Sequence, residues 1–88
     1  MTTYCRATEA LYSEVGSDVV AIHVGRGQCF GMEKVAADVW RLLDEPRNLD
    51  TICAALVDRY EIDPAECHAE IGQYLNQLCQ EGLVTTAT

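Results

Sequence analysis

A short strand pattern runs directly into a helix pattern between Gly27 and Trp40. Residues Gln28 to Met32 alternate in the manner of a strand, and from Glu33 onward apolar residues recur at helical spacing. No loop separates the two patterns, so the junction predicts an α+β fold in which strands come first and helices follow. No later segment is an evident partner for this strand. Its outer edge would therefore offer unpaired N–H and C=O groups to another chain.

Two further strands are predicted before this junction. Glu9 to Val15 is weakly extended, and Val19 to Val24 is the clearest strand of the chain. Gly25 to Gly27 is a tight hairpin connection to the third strand, which gives a small antiparallel meander. Alternation in the second strand predicts Val20, Ile22 and Val24 on the core face, with Ala21 and His23 on the other. Phe30 and Met32 of the third strand are in phase with the core.

Three helices are predicted after the meander. The first spans Glu33 to Asp44, and the second begins at an Asn48 cap and reaches Tyr60. The third begins at Asp63 and Pro64, which suit the cap and the first helical position, and stops at Gly82. One domain is expected over residues 9–84, with flexible ends at residues 1–8 and 85–88.

The net charge of the chain limits the classes of partner that it can bind. Its 88 residues contain six Lys and Arg against fourteen Asp and Glu, for a formal net charge of −8. Binding to nucleic acid or to an anionic membrane needs a basic surface, so neither partner is expected. The N-terminal residues do not form a signal peptide pattern, and no apolar run is long enough to span a membrane. Five widely spaced cysteines are typical of reduced thiols, which indicates a cytoplasmic protein.

No arrangement of side chains typical of an enzyme is evident, and no cofactor is expected. Both histidines stand alone: His23 on the polar phase of a strand, and His68 beside the apolar stripe of the third helix. Cys67 and His68 could hold zinc only together with Cys29 or Cys53, and no CxxC or HxxxH spacing supports such a site.

The chain resembles the PqqD-like family of peptide-recognition domains over Glu9 to Val84. The resemblance is carried by the stretches CFGMEKVAADVWRLLDEPRNLDTI, AALVDRYEIDPAE and YLNQLCQEGLV, in that order. Members bind the leader peptides of ribosomally made precursors. The resemblance implies a winged-helix-like fold with a three-stranded antiparallel sheet followed by three helices.

The resemblance also implies a site without catalytic residues. A leader peptide would add as a strand to the third strand and place side chains in a groove beside the third helix. The strand positions are Gln28, Cys29, Phe30, Gly31 and Met32. The groove positions are Cys67, Glu70, Ile71 and Tyr74.

Within the family, the chain is most similar to the free-standing recognition proteins of lasso-peptide biosynthesis. Such a protein would present the precursor to a separate leader peptidase, with the cyclase following. A PqqD-type chaperone for a radical enzyme is the alternative, although the Pro-Glu element expected before its third strand is missing. A DNA-binding winged helix is less favoured, because Pro64 to Glu81 contains no Lys or Arg. Self-association through the same edge strand stays open.

Overall fold

The computed structural model describes residues 2–87 and has the predicted α+β fold. The described residues form six strands and three helices: β1 (Thr3–Arg6), β2 (Ala10–Val15), β3 (Asp18–His23), β4 (Gln28–Met32), α1 (Val35–Leu42), β5 (Arg47–Asn48), α2 (Leu49–Arg59), α3 (Pro64–Gln80) and β6 (Val84–Ala87). Strands β2 to β4 form the predicted antiparallel meander, in the order β2-β3-β4. None of the helices described is long and apolar enough to cross a membrane.

The β3 strand buries the opposite face from the one predicted. Val19, Ala21 and His23 are buried, whereas Ile22 and Val24 are exposed. Both faces of β3 carry aliphatic residues, so alternation alone does not decide between them. The pairing with β4 does, because Ala21 lies opposite Phe30 and Val19 lies opposite Met32. Phe30 and Met32 do face the core, as predicted.

The opposite side of this sheet forms a surface that we call the outer face. Leu11 of β2 lies opposite Ile22 of β3, which in turn lies opposite Cys29 of β4. Alternation extends this face along all three strands. Its members are Leu11, Ser13, Val15, Asp18, Val20, Ile22, Val24, Cys29 and Gly31.

A second sheet, in the order β5-β1-β6, joins the two ends of the chain. The segments predicted as flexible ends instead contain β1 and most of β6, and Tyr4 pairs with Thr86. Met1 and Thr88, which belong to those predicted ends, lie outside the described residues. Each strand is short and polar, and its partner is distant in sequence, so local pattern does not predict it. The Arg6 guanidinium adds an anchor, donating to the carbonyl oxygen of Trp40 at 2.7 Å.

The ends of the last two helices agree with the sequence prediction. The Asn48 carboxamide accepts from the backbone N–H of Thr51 at 2.8 Å, and the Asp63 carboxylate accepts from that of Glu66 at 3.1 Å. Helix α3 ends in a Schellman motif at Gly82, which has φ +78°. There the N–H of Leu83 donates to the carbonyl of Leu78 at 3.0 Å.

Helix α1 is shorter than predicted and begins only at Val35. Lys34 has a positive φ of 54°, which ends the extended backbone after β4 and prevents Glu33 from joining the helix. The helix presents Val39 and Trp40 to the core, where both are fully buried. It thus fixes the end of β4 against the core.

Candidate functional site

The β4 strand forms an open edge of its sheet in the described chain, since β3 is its one partner there. The direction of its backbone groups follows from the neighbouring ladder. The N–H of Val24 donates to the carbonyl of Glu9 at 3.2 Å, so even-numbered residues of β3 direct their polar groups toward β2. Odd-numbered residues, such as Ala21, direct theirs toward β4 and pair with Phe30. Cys29 and Gly31 therefore direct their N–H and C=O groups outward, away from β3.

The side chains of β4 divide between the two faces of the sheet. Met32 is buried in the core and Phe30 is half-buried against it. Gln28, Cys29 and Gly31 are exposed. A Cβ atom added to Gly31 would meet no atom within 4 Å, so the side of the sheet that carries this position is open there.

The turn between β3 and β4 is tied to the end of α3. Arg26 donates from its guanidinium to the carbonyl of Gln80 at 3.1 Å, and its backbone N–H donates to Nδ1 of His23 at 3.0 Å. Because Nδ1 accepts, the proton of a neutral His23 ring resides on Nε2, which lies 3.6 Å from Glu9. His23 is thus a satisfied histidine, and it is buried. These contacts hold the start of β4 and the end of α3 together.

The four groove positions predicted on α3 differ in their exposure. Glu70 is exposed, Tyr74 is half-buried, and Ile71 is 8% exposed. The Tyr74 hydroxyl is largely shielded from water, and this burial raises its pKa. Ile71, Tyr74 and Phe30 all pack against the same core cluster. That these residues line one groove beside β4 stays a prediction.

Cys67 occupies a different environment from the other three positions. It is 1% exposed, and its thiol interacts with that of Cys53 on α2. Burial, followed by this contact, raises the pKa of Cys53 to about 12, so the thiol is protonated at neutral pH. A side chain that is this buried is not accessible to a peptide at the surface. We therefore leave Cys67 out of the proposed groove.

Gly72 of α3 is explained by helix packing. A Cβ atom at this position would lie 3.3 Å from a methyl group of Leu49 on α2. Helices α2 and α3 also border a cavity of about 630 Å³. Its wall combines apolar and ionisable residues: Asp50, Cys53, Ala54, Val57, Asp58, Pro64 and His68. The charged residues carry no spacing signal that would have marked this cavity in the sequence.

The residues considered for zinc are dispersed. His68 directs Nε2 to Asp50 at 3.1 Å, Cys67 is buried against Cys53, and Cys29 lies on the outer face. Within residues 2–87, no three His, Cys, Asp or Glu side chains are grouped so that they could hold a metal ion.

The comparison with protein families agrees with the meander and helix order. The sequence profile of the family described as "Coenzyme PQQ synthesis protein D (PqqD)" matches residues 18–84, which is more than half of the chain. The chain belongs to the PqqD family. The match includes β3, β4 and all three helices, and therefore both elements of the candidate site.

Two solved structures share the fold. "TbiB1 in Complex with the TbiA(beta) Leader Peptide" is 22% identical, with a TM-score of 0.86, and the match covers 91% of this chain and 93% of that one. "Lasso peptide synthetase B1 complexed with the leader peptide" is 19% identical, with a TM-score of 0.80, over 93% and 96% of the two chains. No protein of curated function matches the sequence.

Proposed function

We propose that this chain binds the leader peptide of a ribosomally made precursor, of the lasso-peptide class, by adding it as a strand to β4. The observation that carries the proposal is the open edge of β4. Cys29 and Gly31 direct two N–H and two C=O groups away from β3. This is the surface that a peptide needs in order to extend a sheet.

Backbone pairing alone would give weak binding. Four outward groups could form four hydrogen bonds, each with a net contribution of about 1 kcal/mol. Loss of translational and rotational freedom on association costs at least about 4 kcal/mol. Net affinity must therefore come from side chains of the leader. We assign these apolar contacts to Phe30, Ile71 and Tyr74, which all pack against the core cluster.

Glu70 would give the proposed groove a preference for basic leader residues. Glu70 is exposed on α3, and the chain as a whole has a formal net charge of −8. A leader segment with apolar residues at alternate positions and a Lys or Arg near Glu70 fits this surface. Binding to DNA is disfavoured, because the chain is acidic and α3 contains no Lys or Arg to neutralise phosphates.

Both solved neighbours carry leader peptides, which supports the class of ligand. We infer that the chain is a recognition protein without catalysis of its own, acting in the cytoplasm. It would present the bound precursor to a separate leader peptidase and then to the cyclase. A chaperone for the precursor of a radical enzyme would use the same edge of β4, so the identity of the bound precursor separates the two functions.

The test is a titration of fluorescein-labelled synthetic leader peptides with the purified protein, followed by fluorescence anisotropy. One leader comes from a candidate precursor gene found near the gene of this chain, and a scrambled version serves as the control. We expect saturable binding of the native leader at least tenfold tighter than that of the scrambled peptide. Equal binding of the two peptides, or none, would contradict the proposed function.

A further inference from the structure

The outer face of the β2-β3-β4 sheet concentrates exposed aliphatic side chains. Leu11, Val15 and Val24 are about 60% exposed and Ile22 is 38% exposed. They account for four of the five large apolar residues found exposed in the described chain, the other being Tyr12. Scattered apolar residues are normal on a protein surface, but a continuous group on one face indicates an interaction site.

The size of the outer face suits a protein partner. Three strands spaced about 4.8 Å apart, each about six residues long at roughly 3.3 Å per residue, give a face of about 15 by 20 Å. The whole face, which also carries Ser13 and Asp18, thus covers about 300 Å², near the lower end of the range for the largest apolar patch on a soluble monomer. Small ligands prefer concave sites, whereas a sheet face of this kind matches a partner's apolar strip.

The charged side chains that line one end of the outer face are acidic, and the nearby Arg41 guanidinium is held by the Ser17 carbonyl at 2.9 Å. A depression of about 280 Å³ at one end of the sheet is lined by Val15, Val20 and Gly31 together with Asp18 and Glu33, and by no Lys or Arg. Asp18 lies opposite Val15 in the β2-β3 ladder, so its carboxylate borders the apolar surface. A partner with a basic residue at the rim of its apolar strip complements this arrangement.

A second copy of this chain is a poor occupant. Two copies that met through this face would bring together two chains with a formal net charge of −8 each. Their Asp18 and Glu33 carboxylates would add repulsion at the rims. Such like-charge contacts oppose self-association.

The outer face is also continuous with the edge of β4. Cys29 and Gly31 belong to both, since their side-chain positions lie on the outer face and their polar groups point outward along the edge. A leader strand added there would extend the sheet, and alternate leader side chains would join the outer face. A partner that covered this face would contact the bound leader as well.

We propose that the outer face is the docking surface for the separate processing enzyme, through an apolar strip with a basic rim on that enzyme. The inference rests on the proposed function, because the bound leader forms one border of the surface. Docking at this place brings the enzyme to the leader-loaded protein and leaves the groove beside α3 undisturbed.

The test measures how much leader-loaded protein is needed for cleavage. A purified leader peptidase that processes the bound precursor would cleave a fluorescent form of it, with increasing amounts of wild-type or variant protein. The variant Leu11→Ser/Ile22→Thr changes the centre of the outer face and keeps strand-compatible residues. Ala54→Ser, on the exposed side of α2, is the matched control. Asp18→Asn is compared with Asp58→Asn. Asp58 is exposed like Asp18, but it lies on α2.

We expect the double variant to bind leader within twofold of wild type and to raise the half-maximal concentration for cleavage about tenfold. Asp18→Asn should raise it about threefold at low salt and less at high salt. The control variants should match wild type. Unchanged half-maximal concentrations in the outer-face variants would overturn the inference.

Two further measurements separate the remaining outcomes. If the double variant lost leader affinity in proportion to its cleavage defect, the outer face would be part of the leader site, which would overturn a separate docking surface. If sedimentation showed a wild-type dimer that the double variant abolished, a second copy would be the occupant, and the inference would be wrong. A wild-type protein unable to bind the leader would instead overturn the proposed function.

Discussion

Gly31→Pro tests strand addition at a single backbone group. Proline removes the N–H of residue 31 and keeps its carbonyl. That N–H points away from β3, so the β3-β4 ladder loses no hydrogen bond. Gly31→Ala is the matched control: it retains the N–H, and its added Cβ would meet no atom within 4 Å.

The expected loss of leader affinity has two contributions: the lost hydrogen bond, and the leader carbonyl that is left without a donor. The bond itself contributes about 1 kcal/mol, and an unpaired leader carbonyl in a partly buried position costs about a further 1–2 kcal/mol. The sum of about 2–3 kcal/mol corresponds to a dissociation constant roughly 30- to 150-fold higher. Gly31→Ala should bind within about twofold of wild type, since it changes no backbone donor.

Isothermal titration calorimetry with the native leader measures the two affinities, and circular dichroism with urea unfolding establishes that both variants are folded. If folded Gly31→Pro bound the leader as tightly as Gly31→Ala, the leader would not pair with the outward groups of β4. The account of the binding site would then be wrong.

Three predictions concern stability. Gly82→Ala should lower the free energy of unfolding by about 1–3 kcal/mol in urea titrations, because φ is +78° and the new Cβ would lie 2.9 Å from the His23 ring; no change would contradict this. Asp63→Ala should cost about 1 kcal/mol through loss of the α3 cap, whereas Asp63→Asn should cost less; equal losses would argue against capping. The pKa of Cys53 is raised to about 12 in the fold, which means that folding favours the protonated thiol. This contribution to the free energy of unfolding is complete below the unfolded pKa of about 9 and is lost as the pH rises above that value. Stability should therefore fall from pH 8 to pH 10.5 by more in wild type than in Cys53→Ala, and equal slopes would refute the assignment.

The parts of the fold that follow from local pattern were predictable. The caps at Asn48 and Asp63 and the stop at Gly82 each depend on a residue type beside a helix end. The β4 strand was predicted with its observed bounds, because Gly27 precedes it and the helical spacing follows it closely. Such signals need no knowledge of distant residues.

The parts that depend on distant pairing were not predictable. The sheet formed by β1, β5 and β6 joins residues more than eighty positions apart, such as Tyr4 and Thr86. The buried face of β3 is set by its partners, since its sequence has aliphatic residues on both faces. The phase of α3 placed Cys67 and Ile71 on one apolar stripe, but that stripe meets α2 at Cys67, where the thiol contacts Cys53. Helical spacing identifies a stripe without identifying the element that covers it.

The most direct test of leader addition to β4 is residue-specific amide hydrogen exchange, measured by NMR with and without saturating leader peptide. The N–H groups of Cys29 and Gly31 should exchange at least tenfold more slowly in the complex. The N–H of Phe30, already paired with β3, should change little, as should those of Tyr12 and Glu14 on the opposite edge of the sheet. Protection at Tyr12 and Glu14 in place of Cys29 and Gly31 would contradict the account.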